Sequence, residues 1–357
     1  MKTIFRNKKI SGLLSIIPET SISFEDEINN YAFPTKQTLR LQKVMGFKKH
    51  SIVKESTATS DLCIFGLKHI LNNGLLKKEE IGAIVVACSY PDHFIPPVSS
   101  IIHGKLGLSE DVYCADINQG CVGFLMALTH GFMLLEHIKN KKVVAIAADV
   151  LSKKVSKKDR NSYPLIGDAA GIVVLENCAE HNDIYTIVRN NGSLGDALTI
   201  PAGGSRMPNT EKTAELVDKD NDGNWRALDN LTMKGSDVFT FVQTKVPTLI
   251  EECLSYANLK KEDITYYLFH QPNRFMLKKL AEKIGIPYEK VPMNIVEEFG
   301  NSSGACIPVC ATYNISDILK GEKHKYCLSA FGSGLTWEAM IMDIGELDFC
   351  EMLISDC

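Results

Sequence analysis

Cys121 stands in Asp116-Ile117-Asn118-Gln119-Gly120-Cys121-Val122-Gly123-Phe124. An extended run, Val112-Tyr113-Cys114-Ala115-Asp116, precedes it. A stretch that is apolar on every side, including Leu125, Met126, Leu128, Phe132 and Leu135, follows. A helix apolar all round is a buried helix, so the spacing places Cys121 where a buried helix starts, just after a strand. The first N–H groups of a helix lack partners and carry partial positive charge. A thiol there loses its proton more easily, and the thiolate is the nucleophile. The plainer reading is a small buried hydrophobe, the usual fate of a free cysteine. Gly120 and Gly123 allow close approach on either side.

Three other short stretches carry polar groups that could serve such a thiol. His270 ends the apolar run Tyr266-Tyr267-Leu268-Phe269 and precedes Gln271-Pro272-Asn273. That puts an imidazole at the C-terminal edge of a strand, where α/β sheets place ligands; a histidine satisfied by backbone groups is the alternative. Asn301 lies in Phe299-Gly300-Asn301-Ser302-Ser303-Gly304-Ala305, where it could equally cap a helix. Phe331-Gly332-Ser333-Gly334-Leu335-Thr336-Trp337 follows a strand at residues 326–330. It can turn a backbone N–H into a cavity or simply close a tight turn.

The elements that must hold these residues alternate. Residues 9–17, 84–88, 143–148 and 171–175 read as strands, and residues 56–71 as a helix that Ser60 can cap. Strands alternating with helices argue for an α/β layered fold. The second half repeats the first. Leu76-Lys77-Lys78-Glu79-Glu80-Ile81 precedes one strand, and Leu259-Lys260-Lys261-Glu262-Asp263-Ile264 precedes another, each after an amphipathic helix. Ile81 to Cys121 and Ile264 to Gly304 are equal separations, each ending in a small-residue turn. Two duplicated halves packed face to face would bring Cys121 and Asn301 into one buried site. The halves are expected at 1–178 and 229–357. A connecting strand and cap loop at 179–228 includes the Gly-, Asn-, Asp- and Pro-rich residues 190–222.

Composition bounds the partners. The chain has 357 residues, 45% apolar and 23% charged, with a net charge of −4, values of a globular protein without affinity for nucleic acid. No apolar run reaches membrane-spanning length, and residues 13–18 are too short for a signal segment. The 11 cysteines are irregularly spaced, which fits a reducing cytoplasm without disulfides or structural metal.

These segments, with Leu165-Ile166-Gly167-Asp168-Ala169-Ala170-Gly171, occur in an order that resembles the β-ketoacyl-acyl-carrier-protein synthase III family of thiolase-fold condensing enzymes. The resemblance implies a five-layer αβαβα fold, a homodimer and a Cys121–His270–Asn301 triad. It implies an oxyanion hole made by the backbone N–H groups of Cys121 and Ser333. It also implies acyl-carrier protein as partner, with coenzyme A or carrier-protein thioesters as substrates and no cofactor. Ile95 would close the acyl pocket of the partner subunit, with Gln119 and Phe331 lining the pocket. Gln119 departs from the small residue usual there. Ungapped matching puts Arg40 and Val44 where the family clamps coenzyme A with Trp and Arg, which leaves coenzyme A and a carrier protein both open as the donor's handle. Arg274, Lys278 and Lys279 form a basic helix face suited to an acidic carrier protein, or a solvated face. An ester- or amide-forming acyltransferase on the same fold, a papain-like protease and a non-catalytic dimer subunit are the competing readings. The stretch 345–357 extends past the family's last strand.

Overall fold

The computed structural model describes residues 1–218, 221 and 223–357; Lys219, Asp220 and Asp222, within the expected cap loop, lie outside the described residues. In chain order the principal elements begin with β1 (Lys2–Arg6), β2 (Lys8–Pro18), α1 (Thr59–Asn72), β3 (Ile81–Cys88), α2 (Val98–Leu106) and β4 (Tyr113–Asn118). Then come α3 (Gly123–Leu135), β5 (Lys142–Asp149), β6 (Ala169–Asn177), β7 (Asp183–Asn190), α4 (Gly235–Tyr256) and β8 (Tyr266–Phe269). The last are α5 (Arg274–Ile284), α6 (Cys306–Lys320), β9 (His324–Gly332), β10 (Thr336–Ile344) and β11 (Phe349–Ser355).

Two main sheets result, in the orders β11-β2-β6-β5-β3-β4 and β1-β7-β10-β9-β8. In the first, β5 runs parallel to β3 and antiparallel to β6, which is antiparallel to β2. In the second, β9 runs parallel to β8 and antiparallel to β10, which is antiparallel to β7. Over these four strands of each sheet the pattern repeats. So do the turns that open the repeat: the Lys77 N–H donates to Glu80 and the Lys260 N–H to Asp263, both at 2.8 Å.

Alternation along the strands builds the layers. On β5, Val143, Ala145 and Ala147 face one core while Val144, Ile146 and Ala148 face another. Successive side chains of a strand point to opposite faces, so a strand apolar throughout must be covered on both. The inner core holds α3 (Phe124, Leu125, Leu128, Phe132) and α6 (Ile307, Val309, Ile315, Leu319) together with residues of both sheets. α1 and α2 cover the outer face of the first sheet, and α4 and α5 that of the second. The order is helices, sheet, helices, sheet, helices: the five-layer αβαβα arrangement.

Three local expectations change. Ser60 is not the cap of α1, which begins at Thr59; Asp61 takes the Ala58 N–H at 2.8 Å, and Ser60 bonds Asp92. Cys121 sits in the turn two residues before α3 rather than inside its first turn. Within the stretch 345–357, Phe349–Ser355 forms β11, parallel to β2, so the last strand of the chain joins the sheet of the first half.

Candidate active site

The two halves meet where glycines let backbones touch. A Cβ built on Gly167 would lie 2.0 Å from the Phe299 carbonyl oxygen, and one on Gly300, at φ +83°, 2.7 Å from the Gly167 nitrogen. Only hydrogen fits there. The close approach allows the Asn301 N–H to donate to Leu165 O at 2.6 Å and the Gly167 N–H to donate to Asn301 O at 3.1 Å. Buried Asp168 locks the neighbouring strand end, accepting from Val53 N–H and from both Ser152 N–H and hydroxyl. His50 braces the crossing from outside: Nδ1 bonds Ile166 O and Nε2 lies 3.0 Å from Glu27. Burial alone would lower its pKa, but the bond to Glu27 overrides this and leaves it raised.

Above this crossing lies a cavity of about 340 Å³ lined by Cys121, His270, Asn301, Phe331 and Ser333, with Ser89, Asn118 and Ser303 beside them. Apolar Leu198 and Ile200 from the cap segment, with Leu231 and Met233 just after it, line its other side. A Cβ on Gly332 would lie 2.5 Å from Cys121 Cβ and 3.1 Å from its sulfur, so the end of β9 rests directly on the nucleophile's side chain. Among the described residues, neither the Cys121 nor the Ser333 N–H donates to a backbone carbonyl.

His270 continues the β8 ladder, its N–H donating to Ser329 O at 2.9 Å. Its ring packs edge-on to Phe331 at 5.6 Å. The imidazole is buried and Nδ1 has no partner. Burial pushes its pKa down to about 4, with the Ser303 backbone opposing. At neutral pH it is therefore an uncharged imidazole with one N–H. The Asn301 amide is fixed as well: Oδ1 accepts from the Ser303 N–H at 3.0 Å and from the Cys306 thiol at 3.2 Å. A backbone N–H can only donate, so the oxygen faces it and the amide NH₂ faces the other way. Burial pushes the Cys121 thiol up to about 12, with the negative forms of Cys306 and Asp149 adding to it; its own N–H and the Ser303 hydroxyl pull the other way. The helix start thus does not leave this thiol readily ionised.

Other expected residues lie elsewhere. Gln119 does not line the cavity; its N–H turns back to Ile117 O, and Asn118 takes the lining place. Ile95 and Phe94 stand 84% exposed, outside the cavity of their own chain. Arg40 and Val44 fall on the helix Thr35–Met45, also outside it; instead the Arg160 guanidinium stacks 3.3 Å from the Phe33 ring. Arg274 pairs with Glu297 at 2.9 Å and Lys279 with Glu282 at 2.7 Å, while Lys278 lies 5.9 Å from the Tyr288 ring. Sequence reasoning missed Asp149, buried at the C-terminal end of β5, whose carboxylate accepts from Ser89 and Tyr90. The signal was present: like His270, it follows an apolar strand directly.

The family described as 3-oxoacyl-[acyl-carrier-protein (ACP)] synthase III matches residues 115–192, and its C-terminal counterpart residues 254–344. A β-ketoacyl-[acyl-carrier-protein] synthase III of Clostridium perfringens is 35% identical over 80% of this chain and 85% of its own. One of Limosilactobacillus reuteri is 31% identical over 80% and 84%. A crystal structure of 3-oxoacyl-(acyl-carrier protein) synthase from Burkholderia xenovorans superposes with a TM-score of 0.92 at 28% identity, covering 99% of both chains. Among the described residues no helix is long and apolar enough to cross a membrane. The chain belongs to the 3-oxoacyl-[acyl-carrier-protein] synthase III family of condensing enzymes.

Proposed function

We propose that the protein moves an acyl group onto Cys121 and then condenses it with a malonyl thioester, giving a β-ketoacyl thioester and carbon dioxide. The observation that carries this reading is the convergence of one thiol, one neutral imidazole and one oriented amide on a single cavity. Thioester exchange onto Cys121 is nearly even in energy, and the Cys121 and Ser333 N–H groups would hold the tetrahedral oxyanion. Loss of carbon dioxide leaves an enolate. Its oxygen needs neutral hydrogen-bond donors that share a proton without giving it up, which is what the His270 N–H and the Asn301 amide present. Phe331 holds the imidazole edge-on.

The reaction as proposed uses no metal or organic cofactor. Acyl-carrier protein, for which the relatives are named, is the proposed partner, docking on the helix face of Arg274, Lys278 and Lys279; Glu297 and Glu282 already engage part of that charge. A homodimer is supported by β4, an edge strand with half-exposed residues and with Tyr113 48% exposed, beside the projecting Ile95 that would close the partner's acyl pocket. An unpaired edge invites pairing. The test is incubation with a panel of acyl-coenzyme A and acyl-carrier donors plus malonyl-carrier protein. The expected result is an acyl mass shift confined to Cys121 and one carbon dioxide per β-ketoacyl product. Acyl uptake by Cys121→Ala, or wild-type acylation without carbon dioxide release on any donor, would contradict the reading.

A further inference from the structure

A thiol held up by burial must lose its proton before it can attack, and the groups already assigned do not take it. Among the described lining residues of the cavity there is no lysine or arginine. His270 is a poor base in its buried site, and an amide is none. Below Cys121, however, lies a polar cluster that the condensation chemistry leaves unused. Asp149 ends β5, is 1% exposed, and directs Oδ1 at three donors: Ser89 N–H and hydroxyl, both at 2.8 Å, and Tyr90 N–H at 3.1 Å. Its Oδ2 has no partner.

Ser303 is the complement. It is buried, its hydroxyl has no partner, and it adopts φ +55°, a left-handed conformation that a side chain rarely takes. Its N–H is anchored on Asn301 Oδ1. The hydroxyl oxygen sits 2.8 Å from where a Gly120 Cβ would be, with the Ser89 hydroxyl 3.3 Å from the same point. Two hydroxyls thus converge on the residue before the nucleophile, and only glycine leaves them room. The Ser303 hydroxyl acts on both Cys121 and Asp149 and makes a well-formed hydrogen bond to neither.

We propose that Asp149, acting through the Ser303 hydroxyl, takes the proton that Cys121 loses on becoming the nucleophile. The Cys121 S–H proton passes to Ser303 Oγ as the Ser303 proton passes to Asp149 Oδ2. The sulfur then bonds to the thioester carbon, the bond to the donor's sulfur breaks, and the departing thiolate receives the proton back along the same route. Asp149 ends as a carboxylate. The cluster's net charge never changes, so no new unpaired charge is created in the buried site. Asp149 is a positioning residue, since it acts through Ser303. The groups that face it are Cys88 from β3, Ser89 and Tyr90 after it, Cys121 before α3, Ser303 in the turn before α6 and Cys306 at its start. None is a cation. Burial raises Asp149 to about 6, with the Ser303 hydroxyl and the Ser89 bonds opposing, which makes it a stronger base than His270.

The inference rests on Cys121 being the reacting thiol, but its test reads thiolate formation alone. Alkylation by iodoacetamide, located on Cys121 by peptide mass, is followed from pH 5 to 9. If the proton moves internally, the reactive population follows Asp149 ionisation. The wild-type rate should then rise roughly tenfold between pH 5 and 7 and level off above it. Asp149→Asn, which keeps the shape, should lack the plateau, climb about tenfold per pH unit beyond pH 8, and be slower by roughly 100-fold or more at pH 7. Ser303→Ala removes a hydroxyl with no other partner and should give the same profile, so the test survives if the Asn variant fails to fold. A wild-type rate climbing without a plateau, or variants whose profiles superpose on it, would overturn the proposal. Neither result touches the condensing reading, which is decided with acyl donors.

Discussion

At the scale of single residues, the site depends on groups held where little else fits. Gly332 is the sharpest case, because a Cβ there would meet the Cys121 side chain at 2.5 Å. Gly332→Ala should therefore shift the thiol. Misplacement of a reacting group by about 1 Å can cost roughly 100-fold in rate. We expect acylation of Cys121 to fall by about that factor in single-turnover measurements while the melting temperature stays close to wild type. Cys121, His270 and Asn301 were legible in the sequence because each follows a strand or opens a helix within a short polar motif. Ser303 and Asp149 were not singled out. The role of Ser303 depends on a left-handed backbone that no residue type announces, and that of Asp149 on which carboxylate oxygen is left over after three donors are counted. The charge state of Cys121 also escaped: a helix start favours ionisation, but burial of the thiol outweighs it.

At the scale of elements, the crossing of the Leu165–Gly171 segment over the Phe299–Ala305 segment does the positioning. Gly167→Ala would drive a methyl group into the Phe299 carbonyl. Overpacking of this kind costs about 1–3 kcal/mol, so we expect a loss of stability in that range by urea denaturation, with carbon dioxide release impaired more than acylation because Asn301 moves. A second element-scale device is the pair of β10 and α3, joined by the Thr129 hydroxyl donating to Glu338 at 2.6 Å. Burial raises the Glu338 pKa from 4.5 to about 8, against the Thr129 bond. The folded form therefore keeps a proton that the unfolded form has released between those values, and stability falls as pH rises through that window. The melting temperature of wild type relative to Glu338→Gln should drop from pH 5 to 8; a constant difference between the two would show that Glu338 is not buried in its acid form. The periodicity of β5 and its neighbours was readable as buried strand, but the edge position of β4 was not, since pairing order is a long-range property.

At the scale of the whole molecule, the duplicated halves explain why the cavity forms at all. Each contributes a strand–turn–helix, and the matched turns at Lys77–Glu80 and Lys260–Asp263 show the repeat at the level of single hydrogen bonds. The repeat was visible in the sequence because those turns need the same residue types at the same spacing. β11 was not foreseen, since its partner β2 lies more than 300 residues earlier. It fills the space over Gly12 with the buried Phe349 ring. Phe349→Ala should cost about 3–5 kcal/mol in a denaturant titration and leave Cys121 acylation intact, because the residue packs on the outer face, away from the cavity. The central claim is that one half supplies the nucleophile and the other the donors for the enolate. The most direct test measures Cys121 acylation and carbon dioxide release from the malonyl donor side by side in His270→Ala, Asn301→Ala and the double variant. We predict that all three retain acylation while carbon dioxide release falls by roughly 100- to 1,000-fold in each single variant, with the double variant far less impaired than the product of the two. Loss of acylation in either single variant, with decarboxylation by the remaining enzyme intact, would contradict the account.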